Sequence, residues 1–399
     1  MKLVYCSCVC SEETYKKLFS TSRVMPGQQV QKYNRTMLMG LSEQEGVDVV
    51  AISKLPISLE NTKKKIVNIP GELLGKANVI YLPHFNIPKI GNLMQLFFSA
   101  YEILKIKKEE SPVVILDVLN ISMGLGVVLA CKLKKIPLVG IVTDLPEYLV
   151  ENHKSAFVRQ CKKIIDACDG YVLLTELMND IINPMREKPY VVIEGQVDAA
   201  MGKKENLLQN KYEKKVCLYA GNLDICNGIK YLLEGFITAN ICDAELHIYG
   251  GGNYVSELQE LIKEKSNIKF FGTRLNEEVV EAQTKATLLI NPRPTDQEFT
   301  KYSFPSKNME YMASGTPMLT TKLPGMPKEY YPYVYIIEDE SKEGIKEKLE
   351  EVLCETAEAL YDKGNAAKRF VLENKTGNLQ ARKIIPMLQE IIKSQGMSL

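Results

Sequence analysis

SFPSKNMEYMASGTP, residues 303–317, sets a proline, a lysine and a glutamate close together, then a helical apolar pattern, then Gly-Thr-Pro. Pro305 pre-sets φ for a first helical turn, with Ser303 or Ser306 as candidate cap. Met309, Met312 and Ala313 recur at i, i+3 and i+4, which predicts one buried face. Gly315 suits a left-handed stop, and Pro317 forbids continuation. Met318–Thr321 then reads as a short strand. A helix between two strands with Lys307 in its first turn is a place for an anion. Glu310, one turn in, repels a bare phosphate but can accept two hydrogen bonds from a ribose diol. The pair points to a nucleotide. The alternative is a capped structural helix with solvated charges.

Outward from this block, β-branched apolar runs alternate with helical patterns. In the first half the strand candidates are Leu3–Val9, Val47–Ile52, Val79–Tyr81, Val113–Asp117, Pro137–Val142, Gly170–Leu174 and Val191–Glu194. Helical stretches fall between them, among them Gln29–Gln44, Ile90–Ile106 and Met123–Lys134. Repeated βαβ implies a parallel sheet covered on both faces. Residues 198–214 are polar and basic and read as a linker. The pattern then restarts with strands at Lys215–Tyr219, Ala244–Tyr249, Ile268–Phe271, Ala286–Ile290, Met318–Thr320 and Tyr333–Ile337. After Ser341 the chain reads as helical to Thr376, and a last helix from Gly377 should kink at Pro386. The fold class expected is α/β, with two doubly wound domains in series. Ligands of such sheets sit beyond the C-terminal strand ends.

The composition narrows the function. The chain has 399 residues and a formal net charge of +1, which argues against a general nucleic-acid binder. Residues 1–195 carry 24 basic against 20 acidic side chains, and the remainder carries 26 against 29. The basic first half suits an anionic acceptor or a membrane surface, or reflects chance. No apolar run approaches the roughly 18 residues that span a bilayer, and the N-terminus is too polar for a signal peptide. A cytoplasmic protein with reduced cysteines is the expectation. Cys6, Cys8 and Cys10 would share one strand face, without the close fourth ligand a zinc site requires, so they read as small buried hydrophobes and no metal is expected. Helix 92–106 is amphipathic and ends in Lys105, Lys107 and Lys108. A core-packed helix with a solvated end is the simpler expectation, and a membrane contact the alternative.

Dinucleotide and P-loop fingerprints are absent. Gly250-Gly251-Gly252 follows a strand but lacks the G-x-G-x-x-G spacing. No G-x-S-x-G elbow occurs.

The second half resembles the donor domain of the retaining glycosyltransferases of family 4, which have the GT-B fold and include the bacterial group 1 enzymes of polysaccharide synthesis. The resemblance lies in YAGNLDICNGIKYLLEGF (219–236), LHIYGGGNYVSEL (246–258), IKFFGTRLNEEVVEAQTKATLLINPR (268–293), SFPSKNMEYMASGTPMLTTKLPGMPKEY (303–330) and RFVLENKT (369–376). The first half fits loosely, through MPGQQVQKYNRTMLMGL (25–41) and VTDLPEYL (142–149). It implies two facing Rossmann-like domains: an acceptor domain at 1–197, the linker 198–214, a nucleotide-sugar domain at 215–376, and a kinked helix at 377–399 crossing back to the first domain.

The resemblance also implies roles. Glu310 holds the ribose, and the backbone at Asn308 and Met309, with Ser306, faces the diphosphate. Gly272-Thr273-Arg274 lies near the base, with Thr273 and Arg274 in the donor set. Gly221, Asn222 and Gly250 complete that set. Two departures stand out: Tyr302 occupies a place where the family often has a Glu, and Asn222 and Asn227 occupy places where many members carry Arg and Lys. Lys307 and Arg293 are then the candidate diphosphate partners. In the first half, Gly27 could line the cleft and Asp144, just past a strand, could orient a hydroxyl or the donor sugar. The expected activity is retaining, metal-independent transfer from a nucleotide-sugar, UDP-sugar favoured, to a glycan or lipid-linked saccharide, with no other cofactor. A sugar-nucleotide epimerase and a non-catalytic subunit that stabilises a partner transferase are the alternatives.

Overall fold

The computed structural model describes residues 1–20, 22, 26, 28–107 and 110–396. Gly27 and Lys108 lie outside the described residues. The chain forms two compact units, Met1–Gln196 with Gly377–Leu399, and Val197–Thr376.

In the first unit the strands are β1 (Lys2–Ser7), β2 (Asp48–Ser53), β3 (Ile66–Val67), β4 (Glu72–Leu74), β5 (Ala77–Tyr81), β6 (His84–Phe85), β7 (Pro112–Asp117), β8 (Leu138–Val142), β9 (Gly170–Leu173) and β10 (Tyr190–Val192). The helices are α1 (Glu12–Phe19), α2 (Gln29–Ser42), α3 (Ile90–Lys105), α4 (Ile121–Lys134), α5 (Ala156–Asp166) and α6 (Glu176–Ile182). The main sheet runs β10-β9-β8-β7-β1-β2-β5-β4, and only the edge pair β4–β5 is antiparallel. β7 and β8 are buried along their whole length. That is why they read as continuous apolar runs rather than as alternation. Strand order reverses between β1 and β7. β1 ends at Ser7, so Cys8 and Cys10 do not share its face as expected. All three cysteines are nonetheless buried, and desolvation pushes their thiols up, as for small apolar side chains.

The second unit contains β11 (Lys215–Ala220), β12 (Ala244–Tyr249), β13 (Ile268–Gly272), β14 (Leu288–Asn291), β15 (Met318–Thr321) and β16 (Tyr335–Ile337). Its helices are α7 (Ile229–Ala239), α8 (Val255–Leu261), α9 (Asn276–Lys285), α10 (Ser306–Ser314), α11 (Lys342–Leu353) and α12 (Ala357–Asn374). The sheet is wholly parallel, in the order β13-β12-β11-β14-β15-β16. The switch point lies between β11 and β14. The single helix expected after Ser341 is two, because Thr356 starts a new one by accepting from the Ala359 amide at 3.2 Å. Residues 198–214 are not a free linker. Lys211 Nζ donates to the carbonyls of Thr284 and Ala286 and to Thr316 Oγ1, and Asn206 donates to the Gly315 carbonyl at 2.7 Å. Val197 and Thr376, the first and last residues of the unit, pair as a parallel bridge.

The last helix, α13 (Gly377–Ser394), includes Pro386 and belongs to the first unit. Ala381, Ile384, Leu388 and Ile391 enter the core that β1, α2 and β9 share. Its start touches α2 backbone to backbone. A Cβ on Gly40 would fall 2.2 Å from the Gly377 carbonyl oxygen, and one on Gly377 would fall 2.6 Å from that of Thr36. Gly40→Ala should therefore destabilise the first unit by about 1–3 kcal/mol through overpacking. Gly202→Ala, whose new methyl meets only Leu372 at 3.5 Å, should cost about 0.5 kcal/mol or less. Urea unfolding of both variants checks this; equal midpoints would contradict the close crossing.

Candidate functional site at the second switch point

The loop after β11 and the segment after β14 meet at the switch point of the second sheet. Gly228 approaches Pro292 so closely that a Cβ there would sit 1.9 Å from the Pro292 carbonyl oxygen. Both segments lie at C-terminal strand ends, where open α/β sheets hold ligands. α10 starts beside them.

The start of α10 differs from its expected form. Pro305 is the N-cap itself, extended at ψ 123°, and no side chain caps the helix. Ser306 is the first helical residue. The Asn308 amide donates to the Pro305 carbonyl at 2.9 Å. Asn308 and Met309 are buried, Asn308 accepting from Asn291 Nδ2 at 2.6 Å. The Asn308 amide is thus already engaged by its own turn, and the amides of Ser306 and Lys307 are the ones with no carbonyl of their own helix to bond. The C-terminal stop is as read: Gly315 has φ 84° and ψ 2°.

Lys307 is the centre of the site. Its Nζ lies 3.1 Å from the Tyr219 hydroxyl and 4.2 Å above the centre of the Tyr219 ring. A Cβ on Gly221 would fall 2.4 Å from the same Nζ, so the lysine occupies space that only a glycine leaves. Burial, and after it the positive charge of Arg293, bring the Lys307 pKa down to about 7 against the opposing charge of Glu310. Arg293 stacks its guanidinium 4.9 Å from the Phe299 ring centre. A desolvated lysine beside a second positive charge favours an anion at this place.

The surrounding groups fix this arrangement. Tyr219 donates to the Asn222 carbonyl at 2.7 Å. Buried Tyr311 receives a hydrogen bond from the Ala220 amide at 2.8 Å and donates to the Ala220 carbonyl at 3.1 Å, tying α10 to the end of β11. Glu310 Oε1 accepts from Gln283 Nε2 on α9 at 3.0 Å. Gly250 has φ +129°, and a Cβ there would fall 1.8 Å from the Gly221 carbonyl oxygen. Any other residue would push the two strand ends apart.

Lys307, Arg293, Glu310, Gly221 and Asn308 thus gather around one strand switch, with Ser306 exposed at the helix start. Asn222 is exposed and donates to Asp224 Oδ2 at 2.7 Å, while Asn227 donates to the Asn222 carbonyl at 3.3 Å. Both asparagines shape the loop. Tyr302 donates to Glu298 at 3.4 Å. Thr273 and Arg274 are exposed after β13, Arg274 Nε donating to the Phe271 carbonyl at 3.0 Å. Beside them a cavity of about 280 Å³ is lined by Tyr249, Phe271, Arg274, Glu278 and Lys285, with none of Lys307, Arg293 or Glu310 in its wall. Asp144 belongs to the first unit, exposed between β8 and a turn at Pro146–Leu149. Tyr219, Tyr311 and Gln283 were not read from sequence as site residues. The strand-end position of Tyr219, next to Gly221, was the available signal.

Residues 202–370, less than half of the chain, match the family model described as Glycosyl transferases group 1. No curated protein sequence matches. Among solved structures, sucrose-phosphate synthase from Thermosynechococcus elongatus aligns at TM-score 0.64 and 13% identity over 99% of this chain and 100% of that one. Anabaena HepE in complex with UDP aligns at 0.62 and 12%, over 98% and 100%. The lipopolysaccharide outer core galactosyltransferase WaaB aligns at 0.61 and 14%, over 98% and 99%. At these identities the likeness is one of fold, and the fold is GT-B, with two Rossmann-like units.

Because Lys307 titrates near pH 7 in the free protein, a bound diphosphate should restore its charge. UDP binding at pH 8 should then take up a fraction of a proton at Lys307, and affinity should fall as pH rises above 7. Calorimetry in buffers of different ionisation enthalpy measures the uptake. The same uptake in Lys307→Met would assign the proton elsewhere.

Proposed function

We propose that the protein is a glycosyltransferase that takes a sugar from a nucleoside-diphosphate sugar and transfers it to a hydroxyl of a glycan or lipid-linked saccharide. The observation that carries this reading is Lys307, desolvated beside the positive charge of Arg293 at a strand switch point, next to the first turn of α10, which no side chain caps. That combination meets a departing diphosphate with charge already in position. The group 1 match over the same residues supports it. A UDP-sugar is the favoured donor; the UDP bound to HepE lends support by analogy of fold. Within this reading the second unit binds the donor, and the first unit binds the acceptor through the strand-end region that contains Asp144. Synthesis of a bacterial surface polysaccharide is the role proposed.

In the proposed reaction the acceptor oxygen forms a bond to the anomeric carbon as the bond from that carbon to the β-phosphate oxygen breaks. The hydroxyl proton passes to the departing phosphate oxygen on the same face, and configuration is retained. Lys307 and Arg293 take up the developing negative charge without a metal. Glu310, oriented by Gln283, accepts from the ribose hydroxyls. Thr273 and Arg274 flank the base, and Gly221 and Gly250 leave room for the diphosphate backbone.

A second reading is supported by the loop after β11. Its asparagines are engaged within the loop and add no cation. A nucleotide-binding but non-catalytic partner subunit would fit that feature. Melting the protein against UDP-, GDP-, TDP- and ADP-sugars separates the outcomes. A ligand at 100 times its Kd adds about 2.7 kcal/mol. A shift together with sugar transfer supports the enzyme. A shift without transfer to any saccharide supports the subunit, and no shift removes the donor site.

Glu310→Ala should lower kcat/KM for the true donor by roughly 10- to 100-fold, as for loss of hydrogen bonds to a charged group. Gln283→Leu should raise donor KM less, because it only positions the carboxylate. Unchanged kinetics in Glu310→Ala would remove its assignment.

A further inference from the structure

α3 is packed inside out. Its buried positions are Gly91, Gln95, Ser99 and Ile103, a mostly small and polar stripe. Gln95 Nε2 lies 3.3 Å from His84 Nδ1, and Ser99 Oγ donates to the carbonyls of Leu96 and Met123. α4 comes so close that a Cβ on Gly126 would fall 2.1 Å from the Leu96 carbonyl oxygen. Met94, Leu96 and Phe98 are half-buried, and five other large side chains are left exposed. Ile90, Leu93, Phe97, Tyr101 and Leu104 are all exposed, Leu93 at 64% and Phe97 at 59%. The core-packed helix expected from periodicity is therefore corrected in part: of its apolar stripe Ile103 is buried and Leu96 and Ala100 half-buried, while Leu93, Phe97 and Leu104 are exposed.

The stripe runs about 21 Å along the helix. α4 lies alongside, its Lys134 Nζ reaching the carbonyls of Leu104 and Ile106 at the end of α3. α4 adds exposed Leu129 and Leu133, the latter at 67%. A contiguous apolar surface of this kind marks an interaction site.

Its rim is basic. Lys105, Lys107, Lys132 and Lys135 are exposed at one end. At the other, Lys89 is exposed, and so is the run Lys63-Lys64-Lys65. The Lys65 carbonyl accepts from the Asn86 amide at 2.7 Å, which ties that run to the start of α3. Glu102, paired with Lys105 at 3.0 Å, is the only carboxylate in the sequence of either helix.

We propose that the outer face of α3 and α4 docks the protein peripherally on an anionic lipid bilayer. The apolar stripe enters the acyl boundary while the lysines meet the headgroups. Charge selects this occupant over a second copy. A two-fold dimer through the same face would set one protomer's lysine clusters against a surface equally basic. Among the described residues no helix is long and apolar enough to cross a membrane, so the contact is along the surface. The surface lies wholly within the first unit and does not depend on the donor-site reading.

The test is co-sedimentation of the full chain with vesicles, without nucleotide or acceptor. Vesicles of phosphatidylcholine with 30 mol% phosphatidylglycerol are compared with pure phosphatidylcholine. Binding at least tenfold stronger to the anionic vesicles, weakened by salt, is expected. The double variant Leu93→Ser with Phe97→Ser should lose binding while keeping the parent far-UV spectrum and melting temperature, since both side chains are exposed. Lys132→Gln with Lys135→Gln should weaken binding about tenfold or more. No binding to either vesicle overturns the proposal, as does equal binding to both. A concentration-dependent dimer abolished by the serine variant assigns the face to a second copy and overturns it as well.

Discussion

A lysine desolvated against a tyrosine ring, under the charge of an arginine, is the constraint on which the second unit turns. Lys307 keeps its place only because Gly221 has no side chain, because the Tyr219 ring and hydroxyl receive its ammonium, and because Tyr311 fixes α10 to the end of β11. Tyr219 and Gly221, which touch the ammonium, are neutral. A carboxylate at the same distance would satisfy the charge and close the site to an anion. Glu310, whose charge acts on Lys307, accepts from Gln283 and follows one turn further along α10. In the proposed function, a diphosphate is the anion that this desolvated charge meets.

The backbone crossings serve the same end by geometry. Gly221 and Gly250 let neighbouring strand ends touch, and Gly228 lets the β11 loop meet the residues after β14. These contacts bring the two sides of the switch point together without filling the space in front of it. Gly40 and Gly377 do similar work in the first unit, where they allow α13 to lie directly against α2. Removal of a methyl group is the common device, but in the first unit it serves cohesion and in the second it serves access.

Much of this was legible in the sequence, and the reasons differ by element. The alternation of strands and helices follows from period and β-branching, which local sequence carries directly. The α10 block was legible because Gly315, Pro317 and the Met309/Met312 stripe each constrain backbone or burial separately. Its start differs from the expectation: Pro305, expected to set φ for the first turn with a serine as cap, is itself the cap at ψ 123°. A proline's φ suits both positions, so sequence does not separate them. Residues 198–214 read as a linker because they are polar, yet Lys211 and Asn206 use that polarity to hold backbone carbonyls of the second unit. Tyr219, Tyr311 and Gln283 entered the site through tertiary packing that no local pattern encodes.

α3 marks the limit of periodicity most clearly. The helical stripe Leu93, Phe97, Tyr101 and Leu104 has the spacing of a core-facing helix, and a sequence reading sends it inward by default. What turns it outward is on a different element. Gly126 of α4 admits the Leu96 backbone, and Ser99 can reach the Met123 carbonyl only at that close approach. Small residues on both helices make backbone proximity, rather than side-chain interdigitation, the source of cohesion between them. Once that interface is set, Leu93, Phe97, Tyr101 and Leu104 are left on the exposed side. Their exposure then follows from the Gly126–Ser99 contact and requires no propensity of their own.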